Sequence, residues 1–542
     1  MIWKARLSYY KRQVYFNVNS QGANKASWYL ILPSALLAAS CLLPLAYLGL
    51  RAMQADPVVW QILWRPKSLE ALWHSLLLTA TVTFSSVIVG LTLAWISVRT
   101  NIAGRKAWSI ILALPLVFPS FVGAYTFIAA FGSHGMIANL LGIEKMPSVY
   151  GFWGAFMVLS LFSYPYVFLT VRAALSKMDP NIEEAARTMG KSQGAIFKDI
   201  ILPQLNPSIQ SGALLVALYT LSDFGAVSML QFDTLTRMIY VQYESSFNRT
   251  GAAFLALSLV AITIIILLLN RALRSDRVVK SSASGKIRPP RMLKLGRWKI
   301  PALLLCIAIL SLGLILPVSV IVYWMLEGIN NGEFLYGGFG IITNSVLASI
   351  LAAIATIAFV IPSSRLQTKY PGKLANFTEN AAYLSSALPG IVIALSLVFF
   401  SIHALPGFLY QSLAVLVFAY MIHFVPHAMG CLRSSFENID PNFECAARNL
   451  GAKESQVVKS ITLPLLKPGV ITGAALVFLT CMKELPATLL LAPTGFDTLA
   501  TRIWSATEEG FFARAATPAL CLVLVSGLSI WIILSQEDEL LS

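Results

Sequence analysis

Twelve long apolar runs dictate what this chain can become. They cover 28–50, 72–98, 107–131, 151–175, 208–229, 251–270, 300–325, 341–362, 380–402, 411–432, 469–491 and 513–534. A helix of ~20 mostly apolar residues crosses the ~30 Å hydrocarbon core of a bilayer. A transmembrane barrel would instead show ~10-residue segments of alternating polarity. Only 12% of the 542 residues are charged and 57% are hydrophobic, which excludes both a soluble globular chain and a disordered one. The expectation is an all-α integral membrane protein with twelve transmembrane helices. A basic stretch precedes the first run, as in a signal peptide. That run exceeds the ~15 residues of a signal core and reads as a retained anchor.

The charge distribution gives the orientation. The net charge is +15, with 40 Lys and Arg residues. With a cytosolic N-terminus and helices alternating from there, the inner segments hold 31 of the 40, counting Arg172 at the inner end of the fourth run; the outer segments hold 8, counting Arg514 at the outer end of the twelfth, and Lys483 lies inside an apolar run. This asymmetry follows the positive-inside rule, so both termini are expected in the cytosol, and the charge needs no nucleic-acid partner. The basic stretch 271–299 reads as a topology determinant and linker, with anionic-lipid recognition as the alternative. The six cysteines are scattered without a C-x-x-C spacing and read as small hydrophobes. His423 and His427 share a helix face and read as a packed polar pair; no metal site is expected.

The chain repeats itself. Asp179 to Pro207 reads DPNIEEAARTMGKSQGAIFKDIILPQLNP, and Asp440 to Pro468 reads DPNFECAARNLGAKESQVVKSITLPLLKP, at a constant offset of 261 residues. Weaker echoes place His74-Ser75 beside Asn344-Ser345, and Thr234-Leu235 beside Thr498-Leu499. Six helices per half give the two halves the same orientation, a parallel repeat. The expected organisation is a cytosolic segment 1–27, a first half 28–270 with core 72–270, a linker 271–299, a second half 300–534 with core 341–534, and a cytosolic tail 535–542.

The repeated segments 179–207 and 440–468 lie between the fourth and fifth helices of their halves, on the cytosolic side. Asp179 suits a helix N-cap, Pro180 the first helical position, and Glu183 and Glu184 the first turns, where the helix dipole favours acid. Gly190 permits the positive φ that ends the helix. A second short helix is expected to about Ile201, with Pro203 and Pro207 breaking the chain before the fifth membrane helix. Ala185 and Ala186 leave a small surface that a partner can approach. The alternative is an amphipathic helix lying on the membrane; two copies at equivalent places favour paired docking.

Glu184-Ala185-Ala186, three residues, Gly190, nine residues and Ile200-Ile201-Leu202-Pro203 resemble the EAA motif of binding-protein-dependent ABC importer permeases. The second copy, Cys445-Ala446-Ala447, Gly451 and Ile461-Thr462-Leu463-Pro464, fits with Cys445 in place of Glu184, while Glu444 matches Glu183. Within that superfamily the fused form resembles the iron(III) permeases, through Lys483-Glu484-Leu485-Pro486 to Pro493 and Thr498-Leu499-Ala500-Thr501-Arg502-Ile503-Trp504. The resemblance implies a type I importer (MetI-like) fold in a bacterial inner membrane. It also implies two separate ATPase subunits holding ATP and magnesium, and a periplasmic substrate-binding protein. The implied coupling residues are Glu183, Glu184, Ala185, Ala186, Gly190, Leu202, Pro203, Glu444, Cys445, Ala446, Ala447, Gly451, Leu463 and Pro464. Ferric iron is the expected substrate; thiamine, sulfate, polyamine and phosphonate permeases share much of the pattern.

Gly190-Lys191-Ser192 imitates the end of a nucleotide-binding P-loop, but position 185 is Ala, so no ATPase or other enzyme is expected in this chain and no cofactor of its own. A different class of function, an ion-gradient carrier, also uses twelve helices in two halves; the repeated elbow argues against it. Asp223 and Glu484 are equivalent under the 261 offset, and Lys483 adjoins one of them. They read either as a structural ion pair involving Lys483 or as an acidic pair on the path of a hard cation.

Overall fold

A computed structural model describes residues 27–53, 61–133, 135–142, 146–244, 249–273, 292–332 and 338–541. All but Ser27 of segment 1–27, and most of linker 271–299, lie outside these residues. The principal helices of the first half are α1 Trp28–Met53, α2 Pro66–Arg99, α3 Arg105–Ile111, α4 Ser120–Phe131, α5 Phe152–Lys177, α6 Pro180–Thr188, α7 Leu202–Ser222, α8 Gly225–Met229, α9 Leu235–Glu244 and α10 Arg249–Leu273. Those of the second half are α11 Gly296–Asn330, α12 Gly340–Lys369, α13 Lys373–Ser386, α14 Gly390–Ala404, α15 Leu413–Asn438, α16 Pro441–Asn449, α17 Leu463–Met482, α18 Pro486–Leu491, α19 Leu499–Glu508 and α20 Phe512–Leu541. Each helix of the first half thus has its counterpart ten labels later.

Among the described residues, nine helices are long and apolar enough to cross a bilayer. The pair α13–α14, bent by 106°, makes a tenth if it counts as one span. Four of the twelve apolar runs are therefore not the uninterrupted helices expected. Run 107–131 breaks before Pro119, and run 380–402 breaks before Pro389, at equivalent places. Runs 208–229 and 469–491 break at Asp223-Phe224 and at Lys483-Glu484-Leu485. A proline at the head of α4 and of α14 disfavours helical backbone in the residue before it, which fixes the first two breaks. The tail 535–541 continues α20 as helix.

The two halves interlock. Helix α1 packs on α12, α13 and α14 of the opposite half, where the Tyr47 hydroxyl donates to the Phe399 carbonyl (3.1 Å) and Leu30 joins Leu366 and Ala375. Helix α11 packs on α4 as well as on α20, and Trp324 Nε1 donates to the Ala129 carbonyl across the halves (3.0 Å). Between α2, α5 and α7, small residues let the backbones approach, as is usual for membrane helices. A Cβ at Gly90 would lie 2.8 Å from Val167 Cβ, and one at Gly212 would lie 2.8 Å from Val167 Cα.

The weak sequence echoes meet in space. Ser75 Oγ accepts from the Leu235 amide (2.8 Å), and Ser345 Oγ accepts from the Leu499 amide (2.7 Å). His74 Nδ1 lies 3.0 Å from the Asp233 carbonyl, and Asn344 Nδ2 donates to the Asp497 carbonyl at 3.0 Å. The same pair of contacts therefore ties α2 to α9 and α12 to α19.

Candidate functional site: two elbows and two broken helices

The elbows share one construction. Asp179 accepts from the Asn181 amide (3.0 Å), and Asp440 accepts from the Asn442 amide (2.9 Å), which satisfies one of the free N–H groups at the start of α6 and of α16. Both helices end at a left-handed glycine, Gly190 at φ +80° and Gly451 at φ +85°. The return helix differs from expectation. Pro203 and Pro464 do not break it: the chain runs from Gln193 to Ser222, and from Glu454 to Met482, as continuous helix. A π-helical turn, Phe197–Ile201 and Val458–Thr462, stands immediately before each proline. The wider turn relieves the clash and the missing N–H that a proline brings to a helix interior.

One carboxylate of each elbow points inward. Glu183 is buried and its Oε1 lies 2.6 Å from Arg99 Nη2, at the C-terminal end of α2. Glu444 meets Lys369 Nζ at 2.7 Å, at the C-terminal end of α12. Arg99 and Lys369 are themselves equivalent, 270 residues apart. The second elbow is tied more densely. Glu444 also takes Arg448 (2.9 Å) and the Thr462 hydroxyl (2.8 Å), while Glu454 takes Arg365 (2.7 Å) and Arg448 (3.0 Å). Burial alone would raise the Glu444 carboxyl. Hydrogen bonds from Lys369 and Thr462 and the charges of Lys369 and Arg365 outweigh it and hold the group at about 2, against an ordinary 4.5.

The outward face carries apolar knobs that sequence reasoning did not single out. Ile182 and Met189 on the first elbow are exposed, and so are their equivalents Phe443 and Leu450 on the second. Met189 is 80% exposed and Leu450 is 88% exposed, on an otherwise polar surface, which marks a contact face. Glu184, Ala185 and Ala446 lie exposed beside them, Cys445 and Ala447 are partly exposed, and Ala186 is buried. The signal was present as an apolar residue in the same place of both copies, three after the Asp cap and one before the Gly.

The second part of the site is the pair of broken helices. Asp223 Oδ1 accepts from the amides of Ala226 (2.9 Å) and Val227 (3.4 Å), and Glu484 Oε1 accepts from the Ala487 amide (3.2 Å). Each carboxylate caps the short helix that follows its break. The partners on the neighbouring helix compensate in size. Ser120 hydrogen-bonds Asp223, whereas a Cβ on its counterpart Gly390 would lie 2.6 Å from Glu484 Oε1. The longer acid stands beside the residue without a side chain. Lys483 Nζ reaches the Leu116 carbonyl (3.4 Å) of the opposite half rather than a carboxylate. The breaks touch across the halves, since a Cβ on Gly225 would lie 3.3 Å from Leu485 Cδ2. Phe224 stacks on Trp504 (ring centroids 5.2 Å, planes 28° apart) and contacts Tyr240 (4.9 Å). Tyr240 and Trp504 are equivalent residues of α9 and α19, 6.4 Å apart. No group of three His, Cys, Asp or Glu side chains among the described residues is placed to hold a metal ion.

Two interlocked halves of one fold, each with a capped elbow between two core helices, define a membrane-embedded transport subunit. Residues 86–278 and 361–536 both match the family described as binding-protein-dependent transport system inner membrane component, and the chain belongs to that family. It is 34% identical over 501 residues to the Fe(3+)-transport system permease protein FbpB 2 of Haemophilus influenzae, covering 91% of this chain and 95% of that one. It is 24% identical over 500 residues to the ferric transport system permease protein FbpB of Actinobacillus pleuropneumoniae, covering 87% and 72%. The molybdenum transport system permease protein ModB of Escherichia coli aligns over 209 residues at 30% identity, 36% of this chain and 91% of that one. The chain is the multi-pass inner-membrane permease of an ABC importer; its ATPase is a separate subunit, and the ion-gradient carrier is set aside.

Proposed function

We propose that this permease carries ferric iron from a periplasmic binding protein into the cytosol. The observation that carries the reading is the identity of 34% across almost the full length of a fused Fe(3+) permease; the molybdenum permease shares 30% over only 36% of this chain. In this reading the twelve apolar runs form twelve spans, interruptions included, and both termini lie in the cytosol. Two ATPase subunits dock, one on each elbow, through Ile182 and Met189 and through Phe443 and Leu450. Glu184, Ala185, Ala446 and Cys445 border these contacts. Glu183 and Glu444 pass the movement to α2 and α12. ATP and magnesium bind in the ATPase subunits.

The mechanism follows from how the elbows are held. Each is stiffened by its capped helix, its glycine turn and its inward ion pair, so ATPase closure moves it as a lever. The lever's long arm is the continuous helix that ends at Asp223 in the first half and at Met482 in the second. There the two halves meet through Phe224, Tyr240, Trp504 and Leu485. Motion of the arms separates these contacts on the outer side and opens the path to the binding protein. Asp223 and Glu484 act as caps that keep each break in shape, and Lys483 joins the second break to the first half.

Uptake of radioactive ferric iron by cells expressing the permease with its ATPase and binding protein tests the reading. Iron uptake that is lost on deletion of the permease and unaffected by excess molybdate, sulfate, thiamine, polyamine or phosphonate supports it. Saturable uptake of one of those solutes without iron uptake refutes it.

A further inference from the structure

Beneath the first elbow lies a cavity of about 460 Å³. Its apolar wall includes Leu91, Trp95 and Phe197, and its polar end includes Arg99, Glu183, Arg187 and Gln193. Trp95 and Phe197 meet edge to face, 5.0 Å between centroids. Under the repeat, Trp95 corresponds to Arg365, Gln193 to Glu454 and Ile201 to Thr462. Those three take part in the ion network of the second elbow, where Arg365 and Glu454 are 2.7 Å apart. The first half has lost these ions and kept apolar walls. It has also kept two cations: Arg99, whose Nη2 pairs with Glu183 at 2.6 Å while its Nε is buried without a hydrogen-bond partner, and Arg187, which supplies the cavity's net positive charge.

The cavity wall continues an exposed, largely apolar stripe of α2. Phe84, Ile88 and Thr92 follow one another at intervals of four on α2 and are exposed, with Trp95 next on the same stripe. From Leu91 to Arg99 the helix rises ~12 Å, so the space reaches from bilayer depth to the C-terminal end of α2. The end of the basic linker closes its far side. The Leu293 amide donates to the Arg99 carbonyl (2.7 Å), the Asn101 amide donates to the Leu293 carbonyl (3.2 Å), and Lys294 stands exposed beside them.

We propose that this cavity binds one anionic phospholipid of the inner leaflet, its phosphate at Arg187 and Arg99 and an acyl chain along Leu91 and Trp95. Basic pockets at the cytosolic ends of membrane helices recognise such headgroups. The lipid holds the first elbow to α2 as the ion network holds the second elbow to α12. The inference concerns the family's elbow and is independent of the transported substrate.

Native mass spectrometry of the purified chain, titrated with phosphatidylglycerol or phosphatidylcholine, tests it. One phosphatidylglycerol is expected to stay bound where phosphatidylcholine does not, and Arg187→Gln should weaken it about fivefold, one cation's contribution near an anionic surface. The pair Trp95→Arg and Gln193→Glu, which copies the second half, should remove the bound lipid. Thr92→Trp at the cavity mouth should remove it too while leaving the Arg99–Glu183 pair in place. Equal retention by both cavity variants and the parent overturns the proposal. So does absence of a retained phosphatidylglycerol from the parent, or its displacement by inorganic phosphate, which would make the site one for a soluble anion.

Discussion

Arg99 and Glu183 form an ion pair 2.6 Å long, with 2% and 9% of their side chains exposed, and it joins the C-terminal end of α2 to the first elbow. Removing one partner leaves the other as a buried, uncompensated charge, which costs about 3–5 kcal/mol. Glu183→Ala should therefore detach the elbow, lower the thermal midpoint of the purified permease and abolish transport. Lys369→Met should do less, because Glu444 retains Arg448 and Thr462. Thermal unfolding and uptake of the two variants side by side check the order; equal effects would contradict it.

The second elbow responds to acid in a defined window. Glu444 titrates near 2 in the folded chain against 4.5 ordinarily, so its pairing stabilises the elbow fully above about pH 4.5. That contribution falls as pH drops from 4.5 toward 2. The protection of residues 440–451, measured against the intrinsic exchange rate at each pH, should fall across this window in the parent. Glu444→Gln should show low protection already at pH 7 and a flatter response.

The apolar knobs should carry docking. Phe443→Ser and Leu450→Ser are each expected to weaken ATPase capture by about 1–3 kcal/mol, the range of a central contact residue. Membrane insertion should be unchanged, as should the thermal midpoint of the isolated permease. Ile182→Ser and Met189→Ser should act the same way on the first elbow. Capture of the ATPase on immobilised permease measures this, and undiminished capture by all four variants would place the docking face elsewhere.

Gly190 and Gly451 occupy backbone at φ +80° and +85°, where a β-branched residue is strained by about 1–3 kcal/mol. Neither would meet a neighbour within 4 Å if it carried a Cβ, so the cost is conformational and local to the turn. Gly190→Val and Gly451→Val should insert normally and lose transport. Gly→Asn at the same positions should keep most of it, since asparagine tolerates left-handed backbone. Uptake normalised to membrane content distinguishes the two.

The elbow's outline was legible in the sequence because capping, glycine turns and a gap-free repeat are local signals. Asp179, Pro180 and Gly190 announce a helix and its end without any tertiary information. What lay beyond reach was direction. Glu183 and Glu184 are adjacent acids, and only the position of Arg99, 84 residues earlier, decides that Glu183 turns inward. The prolines misled for a related reason. Pro203 signals a break, and the π turn that absorbs it has no composition of its own. Uninterrupted apolar runs likewise hid the breaks at Asp223 and Glu484, because these acids are satisfied by backbone amides of the helices they cap. The packing of α1 on the opposite half left no trace in periodicity, since lipid and protein are equally apolar neighbours.

The central claim is that ATPase closure at the elbows opens the contact between the halves at Phe224 and Trp504. Cysteines at these two positions, in a chain otherwise free of cysteine and assembled with its ATPase, measure it directly with a short bifunctional crosslinker. The account predicts efficient crosslinking without nucleotide, when the rings are 5.2 Å apart, and a marked loss when ATP is trapped in the closed ATPase. Crosslinking that is the same in both states would contradict it.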